Sequence, residues 1–519
     1  MTRDPAGDAT RVPYGRAPAR VMNASVRPAP GRRTPEATSR SAARPSRGPR
    51  GAHRRSLAVA IAAGALIGVS ISTMNESMGA IDGEFGLSAL QEGIVVSALL
   101  VGALVGSLGS GLLAGRIGRR RILCLAGALG AAAAALCAVA PDEAALAAGR
   151  CLIGLAMGVT SAVAPVLLAD LAPARVRGSL VTAYQVSITV GMLVALALGT
   201  GPMGHGGWRV LFAVNALPCM ALGLTALRMS EAPGDLLARG REAGALEVLR
   251  ATREPGEAAA EFAALAEARS TPHRSLVRCA ADPALRRPMA IAVGAALMNA
   301  VVGIGAVVYY STLVFSSAGL SGDSGARAAS LSIGLVNVVM SFVALGLIRR
   351  HGRKPLLTAG LAGMAVALGA AAWCQLMGGP AAGALTVAAV LVYVACYAFS
   401  AGPLSWVLLA EVLPPELRTR VSGGALALTW AVNLLVALLF PVILGTPGNP
   451  DRLAGTFLSF TAVTLLILVL LRRYVPETKD RTLAELRAVL GNQRPVPAAT
   501  RSGPAGHPPG GRPEVTPDR

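Results

Sequence analysis

Twelve long, mostly apolar stretches run along this chain, and no other feature limits its fold as sharply. They fall at roughly 57–80, 91–114, 121–140, 144–169, 179–202, 208–228, 289–316, 328–348, 355–377, 384–410, 421–445 and 454–472. About 20 residues of helix cross the hydrocarbon core of a bilayer. Inside that core every backbone polar group needs an internal partner, so segments of this length select helices. The chain has 519 residues, 53% hydrophobic and only 15% charged, against about 25% charged in soluble domains. Aromatic residues are only 4%, while the 60 glycines suit helices that approach closely in lipid. The expected fold is all-α and integral to the membrane, with twelve transmembrane helices.

The formal net charge is +20, yet its distribution argues against nucleic acid as a partner. The positive charge sits at the chain ends and in particular turns, not on a soluble face. Residues 1–55 carry 13 arginines against Asp4, Asp8 and Glu36. This stretch reads as a disordered basic tail, with anionic membrane lipid as a second reading. It has no apolar run before Ser56, so no secretory signal is expected. The seven cysteines form no CxxC or other metal spacing, so neither a metal nor a cofactor is expected.

Basic residues mark every second turn. Arg116, Arg119, Arg120 and Arg121 follow the second segment, Arg175 and Arg177 the fourth, and Arg349, Arg350, Arg353 and Lys354 the eighth. Arg418 and Arg420 follow the tenth, and Arg472 and Arg473 the twelfth. The alternate turns carry acids such as Asp82, Glu84, Asp142, Glu143 and Asp323. By the positive-inside rule all the basic turns and both termini face the cytoplasm. Between the sixth and seventh segments, residues 228–287 hold nine acids and ten arginines. Apolar residues at helical spacing there predict short amphipathic helices on the membrane surface.

The halves repeat each other. "GRIGRRRIL" at Gly115–Leu123 returns as "RRHGRKPLL" at Arg349–Leu357, and "DLAPARVRG" from Asp170 returns as "EVLPPELRTR" from Glu411. The offsets, 234 and 241, are close enough for one duplicated unit. Parallel repeats of this kind build transporters with a site between the halves. The expected divisions are a tail at 1–55, a six-helix bundle at 56–228, a linker at 229–287, a second bundle at 288–475 and a tail at 476–519.

Over residues 57–486 the chain resembles the sugar porter family of the major facilitator superfamily. The motifs that carry the resemblance are "GRIGRRR", "RRHGRKP", "GRCLIGLAMGVTSAVAPVLLADLAPARVRG", "AYQVSITVG", "GWR", "YYS", "GPLSWVLLAEVLPPELR" and "VPETKDRTLAEL". The resemblance implies two pseudo-symmetric six-helix bundles. It also implies a cytoplasmic gate of Asp170 and Arg177, Glu411 and Arg418, with Arg116, Arg119 and Arg353. Such charge pairs strengthen when water leaves and weaken when it returns. The acid usual in the family's basic turn is Gly115 in one copy and Arg349 in the other. Both copies therefore lack the carboxylate expected to cap the next helix.

By the same resemblance Gln185, Asn299, Tyr310, Asn337, Trp406 and Asn433 face a central cavity, while Trp430 and Tyr309 are packing residues. Amides donate and accept, which suits hydroxyl groups. The family's helix-seven amides are reduced here to Asn299, with Ala300 and Gly305 at the other positions. A cyclic polyol, a less polar metabolite or an exported natural product then fits as well as a hexose. Proton-linked relatives carry an Asp in the first helix, where this chain has Thr73. Glu76, three residues on, is the candidate proton-coupling carboxylate. Gly402-Pro403 is expected to loosen the tenth helix.

The chain thus reads as a multi-pass inner (plasma) membrane transporter, a uniporter or proton symporter of a small polyhydroxylated solute. The rival readings are a proton-driven exporter of drugs or secondary metabolites and a non-transporting solute sensor. The spans hold no nucleophile–base pair, so an enzyme is not expected.

Overall fold

The computed structural model describes residues 49–199, 207–270, 276–309, 323–379, 381–444 and 449–479. Twelve helices among them are long and apolar enough to cross a membrane. Numbered in chain order, spans 1–6 are Gly51–Phe85, Leu90–Ile117, Arg119–Ala138, Glu143–Leu171, Val176–Gly199 and Gly207–Arg228. Spans 7–12 are Leu285–Val307, Leu331–Arg350, Arg353–Met377, Ala382–Val412, Leu417–Phe440 and Pro450–Tyr474. Each of the twelve predicted stretches has its helix.

Local chemistry sets the helix ends. Ser88 and Gln91 form a reciprocal capping box before span 2, which satisfies backbone donors that the first turn leaves free. Asp142 accepts from the Ala145 N–H at 2.8 Å before span 4, and Asn449 caps span 12 ahead of Pro450. Gly118, at φ +85°, turns span 2 directly into span 3. At the end opposite the basic turns, Glu84 accepts from Trp208 Nε1 at 2.8 Å and from Arg209 at 2.7 Å. The Gly-Trp-Arg motif thus ties span 6 to span 1.

Two spans depart from the sequence reading. The seventh stretch, expected as one helix over 289–316, is helical over Pro283–Val301 and again over Ile304–Tyr309. The break holds Gly303 at φ +90°, with the Phe460 ring where its Cβ would stand. Tyr310 and the remainder of that stretch lie outside the described residues. Span 10 breaks at Ser400, just before the predicted Gly402-Pro403. Pro403 has no N–H to bond back one turn, so the ladder fails on its N-terminal side.

Packing follows the duplication. Spans 1 and 5, 2 and 4, and 3 and 6 are partners in the first half. Spans 7 and 11, 8 and 10, and 9 and 12 repeat these pairings in the second. Between halves, span 2 meets span 11 and span 5 meets span 8, a pair of contacts that the same six-helix shift interchanges. Small residues permit the closest crossings. A Cβ on Gly102 of span 2 would lie 2.0 Å from the Cys151 carbonyl oxygen of span 4, and one on Gly154 would lie 2.0 Å from that of Leu99. The two backbones therefore touch through reciprocal small faces.

The linker forms helices Pro233–Ala238, Glu242–Thr252, Pro255–Ser270 and Leu276–Ala281. Among them Leu236, Leu237 and Ala245 make a small core of their own, and the linker is pinned to the ends of spans 3 and 4 through Asp235 and Arg253.

Candidate functional site

A cavity of about 860 Å³, including its open mouth, lies between the halves. Spans 1 and 5 line it from the first half, and spans 7, 8, 10 and 11 from the second. Five of the six predicted cavity residues, Gln185, Asn299, Asn337, Trp406 and Asn433, line it together. The sixth, Tyr310, lies outside the described residues.

Trp406 sits just past the break in span 10, and its Nε1–H donates to Gln185 Oε1 at 2.7 Å. This bond joins the halves across the cavity. The Tyr184 ring meets the indole edge-on, 5.4 Å between centroids, a favoured aromatic arrangement that fixes the indole plane. Tyr397 donates its hydroxyl to Asn299 Oδ1. Asn433 Nδ2 donates to the Thr429 carbonyl one turn back at 3.1 Å. Asn337 is only 4% exposed, and among the described residues its Oδ1 has no hydrogen-bond partner.

Two lining residues escaped the sequence reading. Trp430, expected as packing, borders the cavity and points its Nε1–H at Ser161 Oγ of the other half, 3.4 Å away. It lies three residues before Asn433 on span 11, so helical spacing was the available signal. Tyr397 gave no motif; only the fold brings span 10 against span 7.

Glu76 is half-buried on span 1 and packs on span 5, where a Cβ on Gly199 would lie 2.3 Å from its own. It is not among the cavity-lining residues. Thr73, one turn earlier, is fully buried and donates to the Val69 carbonyl at 2.7 Å.

The basic end carries the charge network. Asp170, at the end of span 4, accepts from Arg119 of span 3 and from Arg418 of span 11. One carboxylate thus links the two halves. In the second half Arg353 pairs with Glu411 at 2.9 Å, and Thr478 donates to the other Glu411 oxygen at 2.9 Å. Arg177 donates to the Ala169 carbonyl at 3.0 Å. Arg116 is exposed, and it is in none of the ion pairs among the described residues that form this cluster.

The carboxylates missing from the basic turns come from elsewhere in the chain. Asp235 of the linker accepts from the Arg119 N–H at 3.0 Å and from its Nε at 3.1 Å, capping span 3. Glu477, beyond span 12, accepts from the N–H groups of Arg353 and Lys354 at 2.8 and 3.1 Å, capping span 9. Gly118 and Gly352 leave the room: Arg239 fills the Cβ position of the first and Glu477 that of the second. Burial pushes the Glu477 carboxyl up, but four backbone N–H groups outweigh it and hold the carboxyl below its usual range. Arg253, in the linker, donates to the Asp170 carbonyl at 3.0 Å and to Glu261 at 2.9 Å. Burial pushes the Glu261 carboxyl up, against the pull of Arg253 and Arg177.

The arrangement can therefore hold a small hydroxylated molecule between two halves, with the basic rim closed by ion pairs. Known proteins resemble the chain along most of its length. The family described as sugar (and other) transporter matches residues 50–490. The galactose-proton symporter of Escherichia coli (strain K12) is 32% identical over 82% of this chain and 92% of its own length. The major myo-inositol transporter of Bacillus subtilis (strain 168) is 29% identical over 82% of this chain and 91% of its own. The solved proton:xylose symporter XylE, bound to 6-bromo-6-deoxy-D-glucose, is 24% identical, with a TM-score of 0.75 over 85% of this chain and all of that one. With its twelve spans in two matched bundles, the chain belongs to the family of sugar (and other) transporters.

Proposed function

We propose that the protein moves a sugar or cyclitol across the plasma membrane by alternating access, coupled to a proton. The observation that carries this reading is the Trp406–Gln185 bond across the cavity, 2.7 Å long. An amide from one half and an indole from the other meet where a polyol would lie. The indole face suits the C–H face of a ring, and amides suit its hydroxyls. Rocking of one half on the other exposes this site to each side in turn. Similarity to a galactose-proton symporter and to a myo-inositol transporter supports the solute class.

In this reading the divisions at 56–228 and 288–475 are the rocking bodies, and 229–287 is the strap between them. The tails at 1–55 and 476–519 face the cytoplasm with the basic turns. The residues Gln185, Asn299, Asn337, Trp406 and Asn433 bind solute, with Tyr310 the sixth. Glu76 carries the coupling proton, since an acid within a span is a functional candidate.

The test is uptake in proteoliposomes across a panel of sugars and cyclitols, with and without a pH gradient. Gln185→Ala is expected to reduce exchange of labelled solute to background while the protein still reaches the membrane. Glu76→Gln is expected to retain exchange and lose gradient-driven accumulation. Full exchange by Gln185→Ala removes the assigned cavity, and unchanged accumulation by Glu76→Gln removes the proton role.

A further inference from the structure

The two walls of the cavity differ in chemistry. On the first half, Ile67 and Ile71 of span 1 and Ile188 and Met192 of span 5 line it at i, i+4 spacing, one above the other. This wall is rigid because the two helices touch backbone to backbone. A Cβ on Gly68 would lie 2.0 Å from the Ile188 carbonyl oxygen, and one on Gly64 would lie 2.3 Å from that of Tyr184. Neither helix can turn to offer a different face. Gln185 and Thr189 are the polar residues of this wall; the second half brings the amides Asn299, Asn337 and Asn433, beside apolar Leu409 and Leu426.

Much of the polar capacity is already used. Gln185 Oε1 is taken by Trp406, and Asn299 Oδ1 by Tyr397. The Ser405 and Thr429 hydroxyls donate to the Ala401 and Ala425 carbonyls at 2.6 and 2.9 Å. The buried Asn337 Oδ1 receives no donor from the described residues. A buried acceptor of this kind is satisfied by a partner that brings its own O–H.

We infer that the cavity selects an amphipathic sugar: one that gives a hydroxyl to Asn337 and lays a methyl, in place of a hydroxyl, on the Ile67–Ile71–Ile188–Met192 wall. The substrate class is therefore a deoxy or O-methyl sugar rather than a fully hydroxylated hexose. This rests on the proposed transport of a sugar or cyclitol through the same cavity. A hydroxyl held against that wall loses its water and gains no partner. Discrimination of an apolar pocket against an added hydroxyl is limited, about a hundredfold at most.

The experiment is counterflow into proteoliposomes holding the full chain. D-galactose, D-glucose and D-mannose are each compared with their 6-deoxy and 3-O-methyl forms. At least one derivative is expected to half-saturate at a concentration tenfold or more below its parent, about 1.4 kcal/mol. Ile71→Asn is expected to narrow that ratio below threefold by improving the parent. Asn337→Leu is expected to raise the half-saturating concentration of parent and derivative alike by tenfold or more. Counterflow of the parents with equal or better half-saturation than every derivative overturns the inference and leaves the proposed function standing. No counterflow of any of the sugars overturns the inference, and the proposed function falls with it if labelled myo-inositol also fails to exchange in the same vesicles. The comparison among wild-type substrates decides the matter even if a variant fails to fold.

Discussion

Asp170 is the residue on which the closed rim turns. Its carboxylate, 14% exposed, accepts from arginines on spans 3 and 11. Removing one partner of a buried ion pair costs about 3–5 kcal/mol, because the other charge is left uncompensated. Arg119 keeps Asp235 as a second partner. Arg418 keeps only the Leu413 carbonyl at 3.1 Å among its other described acceptors. Asp170→Asn is therefore expected to release span 11 and leave span 3 in place. A cysteine at Ser110, which is buried against Gly423, reports this in a chain whose native cysteines are replaced. Its labelling by a water-soluble thiol reagent is expected to rise at least tenfold in Asp170→Asn. Labelling at the parent rate would show that the rim closes without this pair. The repeated acid, proline and arginine pattern makes Asp170 legible in the sequence. That it, and not Glu411, reaches across to the other half was not legible, because the two copies match at those positions.

At the scale of elements, the basic turns are finished by segments distant in sequence. Span 3 takes its cap from the linker and span 9 from the residues after span 12. In the sequence, Gly115 and Arg349 stand where a capping carboxylate is expected in the basic turns. That Asp235 and Glu477 fill the role was not legible there, since 116 and 124 residues separate them from their partners. Apolar length and basic turns located all twelve spans, and Gly402-Pro403 marked the break in span 10, whereas the break in span 7 depends on where Phe460 of span 12 lies. The Glu477 cap carries a pH dependence. Its carboxyl titrates below the usual carboxylate range, so its stabilisation is complete above that range and is lost as pH falls through the lowered value. Thermal melting of the purified protein is expected to show an acid-dependent loss of stability that Glu477→Gln reduces. Identical acid profiles for parent and variant would rule out this contribution.

At the scale of the whole molecule, transport by rocking needs spans 2 and 11 to part at the basic end. A Cβ on Gly423 would lie 2.8 Å from the Ser107 carbonyl oxygen, so the two helices touch there when the rim is closed. Cysteines at Ser107 and Gly423, in a chain stripped of its own, are expected to form a disulfide that stops net uptake. Reductant is expected to restore uptake. Transport that survives the crosslink would mean that the halves do not separate along this seam.

The pseudo-symmetry of the helices stops at the rim. Asp170 and Arg418 clasp across the halves, while Glu411 stays with Arg353 and Thr478, and Arg177 bonds the Ala169 carbonyl. A doubled ancestor left two hooks and two eyes, and in this state a single pair fastens. The unfastened pair need not match across the seam: Arg177 is spared that fit, while Glu411 answers only to Arg353 and Thr478 inside its own half.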